Sequence, residues 1–296
     1  MHRRFQRFKT EGQDLLELVL LPGLAAVLPW PLCFRVFRRL ARWRWLYRDV
    51  CARAVCAARS RGMADDEAHW QWVRRLVTLV DHADYYLSRT RSDRWLLRNA
   101  SVDGVWPAPD QAAVLFTFHW GAGMWGLRSM ARAGVHPHAL VAPLDQAAFR
   151  GRTVLGWYAR ARTREVTRVL QRQALDVSRS LRPAVCALRV GQPIGSSVDV
   201  PADQSATSEP VPLMGMPARI QRGLLRLAVD QRAPVIVYLT GFDLHTGRRR
   251  IRIAQLGVHE DVASLTRAVF FHLDAALMEE PAAWHLWSEA ERFFVA

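Results

Sequence analysis

Two short apolar runs constrain the fold of this chain more than any other feature of its sequence. Residues 112–118 (AAVLFTF) and 234–240 (PVIVYLT) are apolar with almost no polar alternation, which is typical of parallel strands buried on both faces. Segments with helical spacing of apolar residues flank them, notably 65–90 and 262–276. Strands that alternate with helices predict an α/β fold. We expect a single mixed, mostly parallel sheet flanked by helices.

Weaker patterns predict the remaining elements. We expect a helix over 121–133 that ends at Gly134, and helical structure over 175–189 and around Ile220, Leu224 and Leu227. Further strands are expected at 139–142, 194–198 and 250–256. The sequence contains neither an internal repeat nor a low-complexity tract. We therefore expect residues 61–296 to form one α/β domain, preceded by an N-terminal helical region over 1–60.

The chain is strongly basic. Its 41 lysines and arginines exceed its 27 acidic residues, which gives a net charge of +14 over 296 residues. Such a charge predicts an anionic partner, either a nucleic acid, a membrane surface or an acidic protein. No helix-turn-helix, zinc finger or aromatic RNA motif accompanies it, so nucleic acid is not expected. The four cysteines form no C-x-x-C pair, so we expect neither a disulfide framework nor a metal site.

The N-terminal segment bears on membrane attachment. Residues 15–34 are apolar apart from Glu17, and a spanning helix needs about 20 such residues. Three prolines interrupt the run, and they disfavour a straight helix. The next segment, 35–42, places four arginines at helical spacing on one face: Arg35, Arg38, Arg39 and Arg42. A basic amphipathic helix beside an apolar run predicts a membrane-surface anchor, and the alternative is a buried helix pair with solvated arginines.

His119 is the first candidate for a catalytic residue. It follows the strand predicted at 112–118 and precedes Trp120-Gly121-Ala122-Gly123. Ligands of α/β sheets bind at the carboxyl ends of strands, and a histidine there can act as a general base. Backbone N–H groups at Gly121 and Gly123 can bind an oxyanion at the start of a helix. The alternative for His119 is a packed or solvated histidine.

The order and spacing of several segments resemble the bacterial lipid A biosynthesis acyltransferases. These are the late lauroyl and myristoyl transferases, which are related to the lysophospholipid acyltransferase superfamily. The resemblance covers nearly all of the chain and begins with the apolar N-terminal segment and His119 after a strand. It continues with three further motifs: Val-Pro-Leu-Met-Gly at 211–215 followed by Pro-Ala-Arg at 217–219, Gly-Leu-Leu-Arg-Leu-Ala at 223–228 before Ala-Pro-Val at 233–235, and Pro-Ala-Ala-Trp-His-Leu-Trp at 281–287.

Two positions depart from the family pattern. In the family, four residues separate the histidine from an aspartate or glutamate. Met124 occupies the position of that acid in this chain. The family also carries an arginine before the proline of its next strand and loop, and Ala142 occupies that position. Loss of both charged groups together leaves neither one unpaired, which indicates a divergent branch.

The resemblance implies acyl transfer without a cofactor. The donor would be a thioester of acyl carrier protein or coenzyme A, and the acceptor a hydroxyl or amine of a lipid or glycolipid. The protein would lie at the cytoplasmic face of the bacterial inner membrane, where its positive charge suits an anionic surface and an acidic carrier protein. The alternative is an inactive relative that binds acyl chains or acyl carrier protein.

A carboxylate from elsewhere in the chain could orient His119 in place of the missing acid. Asp199 follows the strand predicted at 194–198 and is the first candidate, with a turn or cap role as its alternative. Asp203 and Asp145 are further candidates.

Several arginines are candidates for binding a phosphate of the acceptor or of the carrier's prosthetic arm. They are Arg150, Arg152 and Arg219. A solvated surface position is the alternative for each of them in a chain this rich in arginine.

Overall fold

The computed structural model of this chain describes residues 2–109, 111–141, 149, 151–204 and 207–294. Helices surround a central sheet. The α-helices are α1 (His2–Asp14), α2 (Leu21–Val27), α3 (Trp30–Leu40), α4 (Arg48–Arg59), α5 (Glu67–Thr90), α6 (Asp93–Asn99), α7 (Met124–Arg132), α8 (Thr153–Leu170), α9 (Arg182–Arg189), α10 (Gly223–Asp230) and α11 (Val262–Glu279).

The strands form one seven-stranded sheet and a separate hairpin in the part of the chain that is described. Neighbours in the sheet follow the order β1-β9-β8-β2-β5-β3-β4, and only β8 and β9 pair antiparallel. This confirms the mixed, mostly parallel α/β sheet. The strands are β1 (Ala100–Asp103), β2 (Val114–Thr117), β3 (His138–Val141), β4 (Leu175–Asp176), β5 (Ile194–Ser197), β6 (Ser208–Leu213), β7 (Met216–Gln221), β8 (Val235–Phe242) and β9 (Arg249–Gly257).

The two apolar runs of the sequence lie at the centre of the sheet. Strand β2 lies between β5 and β8, and Val114 pairs in register with Ile194 on one side and Val235 on the other. Successive residues of a strand point to opposite faces, so Leu115 and Phe116 enter different halves of the core. Both side chains are fully buried. Coverage on both faces explains why these strands are apolar without alternation.

The sequence predicted some elements wrongly between β3 and α10. Residues 175–189 are not continuously helical, because Leu175 and Asp176 pair with β3 at the sheet edge and Pro183 lies in the first turn of α9. A proline suits that first turn but not a helix interior. Ile220 belongs to the hairpin strand β7 rather than to a helix. Helix α8, which supplies one wall of the cavity described below, was not expected.

The N-terminal helices pack into the same core as the sheet. The apolar face of α3, including Phe34, Phe37 and Leu40, is buried, while Arg35 and Arg39 remain exposed. The apolar run of residues 15–34 is divided near Pro29, where α2 ends and α3 begins. None of the helices in the described ranges is both long and apolar enough to cross a membrane.

Candidate active site

Sheet register brings His119 and Asp199 together. Strands β2 and β5 are parallel neighbours in which Thr117 pairs with Ser197. His119 and Asp199 each lie two residues beyond that pair, so both emerge at the carboxyl edge of the sheet. Parallel strands gather their carboxyl ends at one edge, where α/β proteins bind ligands.

The Asp199 carboxylate is buried and holds His119 at two points. Its Oδ1 lies 2.9 Å from His119 Nδ1, and its Oδ2 accepts the His119 backbone N–H at 2.9 Å. The indole Nε1–H of Trp284 donates to the same Oδ2 at 2.9 Å. Because an ionised carboxylate only accepts hydrogen bonds, this contact assigns the proton of the neutral imidazole to Nδ1. Nε2 is then available to accept a proton from a substrate.

The electrostatics of His119 suit a general base. Burial opposes its protonation, but the Asp199 charge and its hydrogen bond outweigh burial and raise the pKa of His119 above its ordinary value. The side chain nevertheless remains 45% exposed. His119 is thus fixed on its Nδ1 side and accessible.

An apolar cavity of about 570 Å³ adjoins His119. Helices α7 and α8 and the ends of β2, β3 and β5 supply its walls. Cavities of this size accommodate small organic ligands. Its apolar side chains include Met124, Leu127, Met130, Leu140, Val166 and Leu170.

A group of polar side chains interrupts the apolar wall. Asp81 of α5 and Arg162 of α8 line the cavity and form a two-point ion pair, with both N–O distances at 2.6 Å. His285 also lines it, and its Nε2–H donates to the Gly121 carbonyl at 2.7 Å. Burial lowers the pKa of His285 to about 4, so this imidazole is neutral at pH 7.

The two glycines after His119 have different environments. The Gly121 N–H donates to the Ala283 carbonyl at 3.0 Å, so it already has a partner, and its oxyanion role stays a prediction. Gly121 has φ +71°, and a Cβ there would lie 2.2 Å from the Thr240 carbonyl oxygen. Its lack of a side chain therefore serves close packing. The Gly123 N–H has no hydrogen bond to any residue in the described ranges, and its proposed oxyanion role stays a prediction.

Met124 lines the cavity as a buried apolar side chain. Met124 thus contributes to the cavity wall at the position where the family pattern has an acidic residue. Asp199 supplies a carboxylate to His119 from a different strand. Ala142 and Asp145 lie outside the described residues.

Of the candidate phosphate-binding arginines, neither Arg152 nor Arg219 lines this cavity. Arg219 is exposed on β7, and its Nε donates to Ser208 Oγ at 2.8 Å, so its substrate-binding role stays a prediction. Arg152 pairs with Asp14, and Arg150 lies outside the described residues. Asp203 pairs with Arg292 rather than with His119.

Sequence reasoning missed several side chains of the site. Trp284 is a fully buried core residue whose Nε1–H also donates to Asp199. A usable clue was present for Asp81, which follows Val77 by four residues on the apolar face of α5. A carboxylate on a buried helix face requires a partner, and Arg162 provides it.

Comparison of the sequence with models of known protein families, and with characterised proteins, finds no match. The described residues contain no group of three or more His, Cys, Asp or Glu side chains placed to hold a metal ion. The geometry of the site therefore carries the functional argument.

Proposed function

We propose that this protein is an acyltransferase that moves an acyl group from a thioester to a hydroxyl or amine of a lipid or glycolipid. The supporting observation is the His119–Asp199 pair beside an apolar cavity of about 570 Å³. The reaction requires a base for the acceptor and an apolar space for the acyl chain. The family resemblance of the sequence points to the same chemistry.

In this reaction His119 Nε2 takes the proton of the acceptor hydroxyl or amine while that atom attacks the thioester carbonyl carbon. The buried Asp199 carboxylate stabilises the resulting imidazolium and holds the ring in position. Collapse of the tetrahedral intermediate breaks the carbon–sulfur bond. The imidazolium then returns its proton to the departing thiolate, and no cofactor is needed.

The proposed donor is acyl carrier protein or coenzyme A. Both carry negative charge, and the chain has a net charge of +14. Complementary charge accelerates encounter between partners more than it strengthens the final complex.

The proposed location is the cytoplasmic face of the bacterial inner membrane, with the N-terminal region lying on its surface. Leu20 and Val27 are exposed on the N-terminal helices. The rings of Trp43 and Trp45 are in contact at a tilt of 37° and are roughly half exposed. Tryptophan and arginine suit the boundary between lipid and water. Arginines of the same region form no ion pair with a carboxylate in the described ranges; they are Arg35, Arg38, Arg39, Arg42, Arg44 and Arg48.

The second candidate function is an inactive relative that binds acyl chains or acyl carrier protein. Met124 favours it, because the acid of the family pattern is missing there. The cavity suits this function as well as the first. The contact between Asp199 and His119 favours the enzyme, because binding alone has no need of an oriented base.

The test compares membranes that contain the protein with membranes that contain its His119→Ala variant. Both receive labelled acyl thioesters of acyl carrier protein, and the lipid extracts are separated by mass. We expect an acylated lipid that forms only with the intact protein, and its mass identifies the acceptor.

Empty membranes and membranes that contain the His245→Ala variant provide the controls. His245 is an exposed histidine that does not line the His119 cavity, so His245→Ala should retain transfer. Label at the empty-membrane level with the folded wild-type protein, together with retained binding of the carrier, would establish the inactive relative instead.

A further inference from the structure

The ion pair between Asp81 and Arg162 is unusual for the wall of an apolar cavity. Their side chains are only 11% and 29% exposed. An ion pair in such a position stabilises a fold poorly, because removing both charges from water costs about as much as their attraction returns. A well-packed apolar pair would serve stability equally. Stability alone therefore does not explain why this pair is charged.

Arg162 retains hydrogen-bond donors beyond those that bind Asp81. A guanidinium has five N–H groups, and two of them donate to the Asp81 carboxylate. The Tyr158 hydroxyl is a further neighbour. Among the described lining residues Arg162 is the one arginine or lysine, and its partner Asp81 holds it to the wall.

Two of the backbone N–H groups that follow His119 already have hydrogen-bond partners. The N–H groups of Gly121 and Ala122 donate to the carbonyls of Ala283 and Thr240, at 3.0 and 2.8 Å. The N–H groups of Gly123, Met124 and Trp125 at the start of α7 remain, and neutral amides bind negative charge more weakly than a guanidinium does. Acyl transfer places a full negative charge on the former carbonyl oxygen, and its stabilisation is a large part of catalysis.

We propose that Arg162, held in place by Asp81, stabilises the oxyanion of the tetrahedral intermediate; this inference rests on the acyl transfer proposed above. The acceptor atom bonds to the carbonyl carbon, and the carbonyl electron pair moves onto oxygen beside the guanidinium. When that pair returns, the carbon–sulfur bond breaks and the thiolate receives the proton from His119. Arg162 exchanges no proton in this sequence and acts as a fixed positive charge.

The experiment measures steady-state transfer by variants of the full chain. Asp81→Leu/Arg162→Met removes both charges and leaves no buried ion unpaired. Arg162→Gln removes only the positive charge, and Arg162→Lys retains it. The matched control is Arg168→Met, because Arg168 lies on the same helix and also pairs with a carboxylate, that of Glu165, but does not line this cavity.

We expect the double variant and Arg162→Gln to lose about 10²–10³-fold in kcat with KM for the thioester nearly unchanged, as for other oxyanion donors. Arg162→Lys should recover part of that loss, and Arg168→Met should match the wild type. A purely structural role would not separate kcat from KM or distinguish lysine from glutamine.

Three results would overturn the assignment of Arg162. They are an unchanged kcat in a folded Arg162→Gln protein, a loss confined to KM, or equal rates for the lysine and glutamine variants. If the double variant does not fold, the two single variants decide. Failure of the underlying function is distinguishable, because the wild type would then show no more transfer than His119→Ala, and both proposals would fall.

Discussion

At the residue scale, the site depends on a contact between positions 80 residues apart in the sequence. Asp199 contacts both the ring and the backbone of His119, and it is held in turn by Trp284. A carboxylate that is fully buried requires such donors, because an unpaired buried charge is strongly unfavourable. The three contacts therefore fix the carboxylate that orients the His119 ring.

Asp199→Asn tests that orientation. The amide keeps the size of the side chain but removes its charge, and loss of the equivalent charge in a protease triad costs about 10⁴ in rate. We expect a fall of up to about 10⁴ in kcat, measured as acyl transfer. Asp203→Asn is the matched control, because Asp203 pairs with Arg292 instead, and equal losses in the two variants would contradict the role of Asp199.

The pH dependence of transfer gives a second test. His119 acts as a base only when it is neutral, so kcat/KM should fall as the pH drops below its pKa. Because Asp199 raises the pKa of His119, the acidic limb of the profile should move to lower pH in Asp199→Asn. The residual activity of that variant is measured across pH 5–9, and a limb that does not move would show that another group titrates.

Trp284→Phe tests the support of the carboxylate. It removes one donor from a buried charge, which should lower the free energy of unfolding by about 1–3 kcal/mol and lower kcat as well. Trp287→Phe is the comparison, because the Trp287 Nε1–H donates to the neutral Pro281 carbonyl. Urea denaturation and transfer rates are measured for both, and an equal kcat in the two variants would exclude a role for Trp284 beyond packing.

At the element scale, the connection from β2 to α7 determines where His119 points. The Gly121 N–H donates to the Ala283 carbonyl and the Ala122 N–H to Thr240, so the C-terminal segment and β8 both hold this connection. The connection lies close to β8 because Gly121 has no side chain, and the Ala283 carbonyl holds the C-terminal segment against it. The C-terminal Pro-Ala-Ala-Trp motif thereby becomes part of the site.

Gly121→Ala and Gly123→Ala should differ sharply. A Cβ on Gly121 would lie 2.2 Å from the Thr240 carbonyl oxygen, and Gly121 also has a positive φ. A Cβ on Gly123 would have no atom within 4 Å. We expect Gly121→Ala to lose at least about 2 kcal/mol of unfolding free energy and Gly123→Ala about 0.5 kcal/mol or less. Urea denaturation checks both values, and similar losses would mean that the connection can relax.

At the scale of the whole molecule, charge and exposed aromatic rings coincide in the N-terminal region. Trp43 and Trp45 are 49% and 42% exposed and lie among arginines without carboxylate partners in the described ranges. The apolar face of helix α3 is buried in the protein and does not contact a membrane. The proposed membrane contact thus depends on the segment after α3 and on exposed residues before it.

Vesicle flotation tests this contact. Each arginine near an anionic surface contributes about 1 kcal/mol, so Arg42→Gln/Arg44→Gln should bind vesicles of anionic lipid roughly 30-fold more weakly. Added salt should weaken the wild type as well. The control is Arg94→Gln/Arg98→Gln, two exposed arginines of α6, and equal weakening by the two pairs would indicate a response to net charge alone.

The sequence by itself determined the strands at the centre of the sheet and the position of His119 at the end of one of them. Continuous apolar runs and turn residues are local patterns, and local patterns are readable without a structure. The sequence did not predict β4 or the hairpin of β6 and β7. The two-residue edge strand depends on β3, a neighbour distant in the chain. The hairpin is local, but prolines in both of its strands obscure the strand pattern.

Only the tertiary structure decided which carboxylate serves His119. The sequence left Asp199 open between an orienting acid and a turn residue, and the parallel register of β2 and β5 resolves this by aligning Thr117 with Ser197. The tertiary structure also brings Trp284, Asp81 and Arg162 to the site. Asp81 lies on α5, Arg162 on α8 and Trp284 in the C-terminal segment. Side chains meet across a sheet edge through strand order and register, and neither is encoded by spacing along the chain.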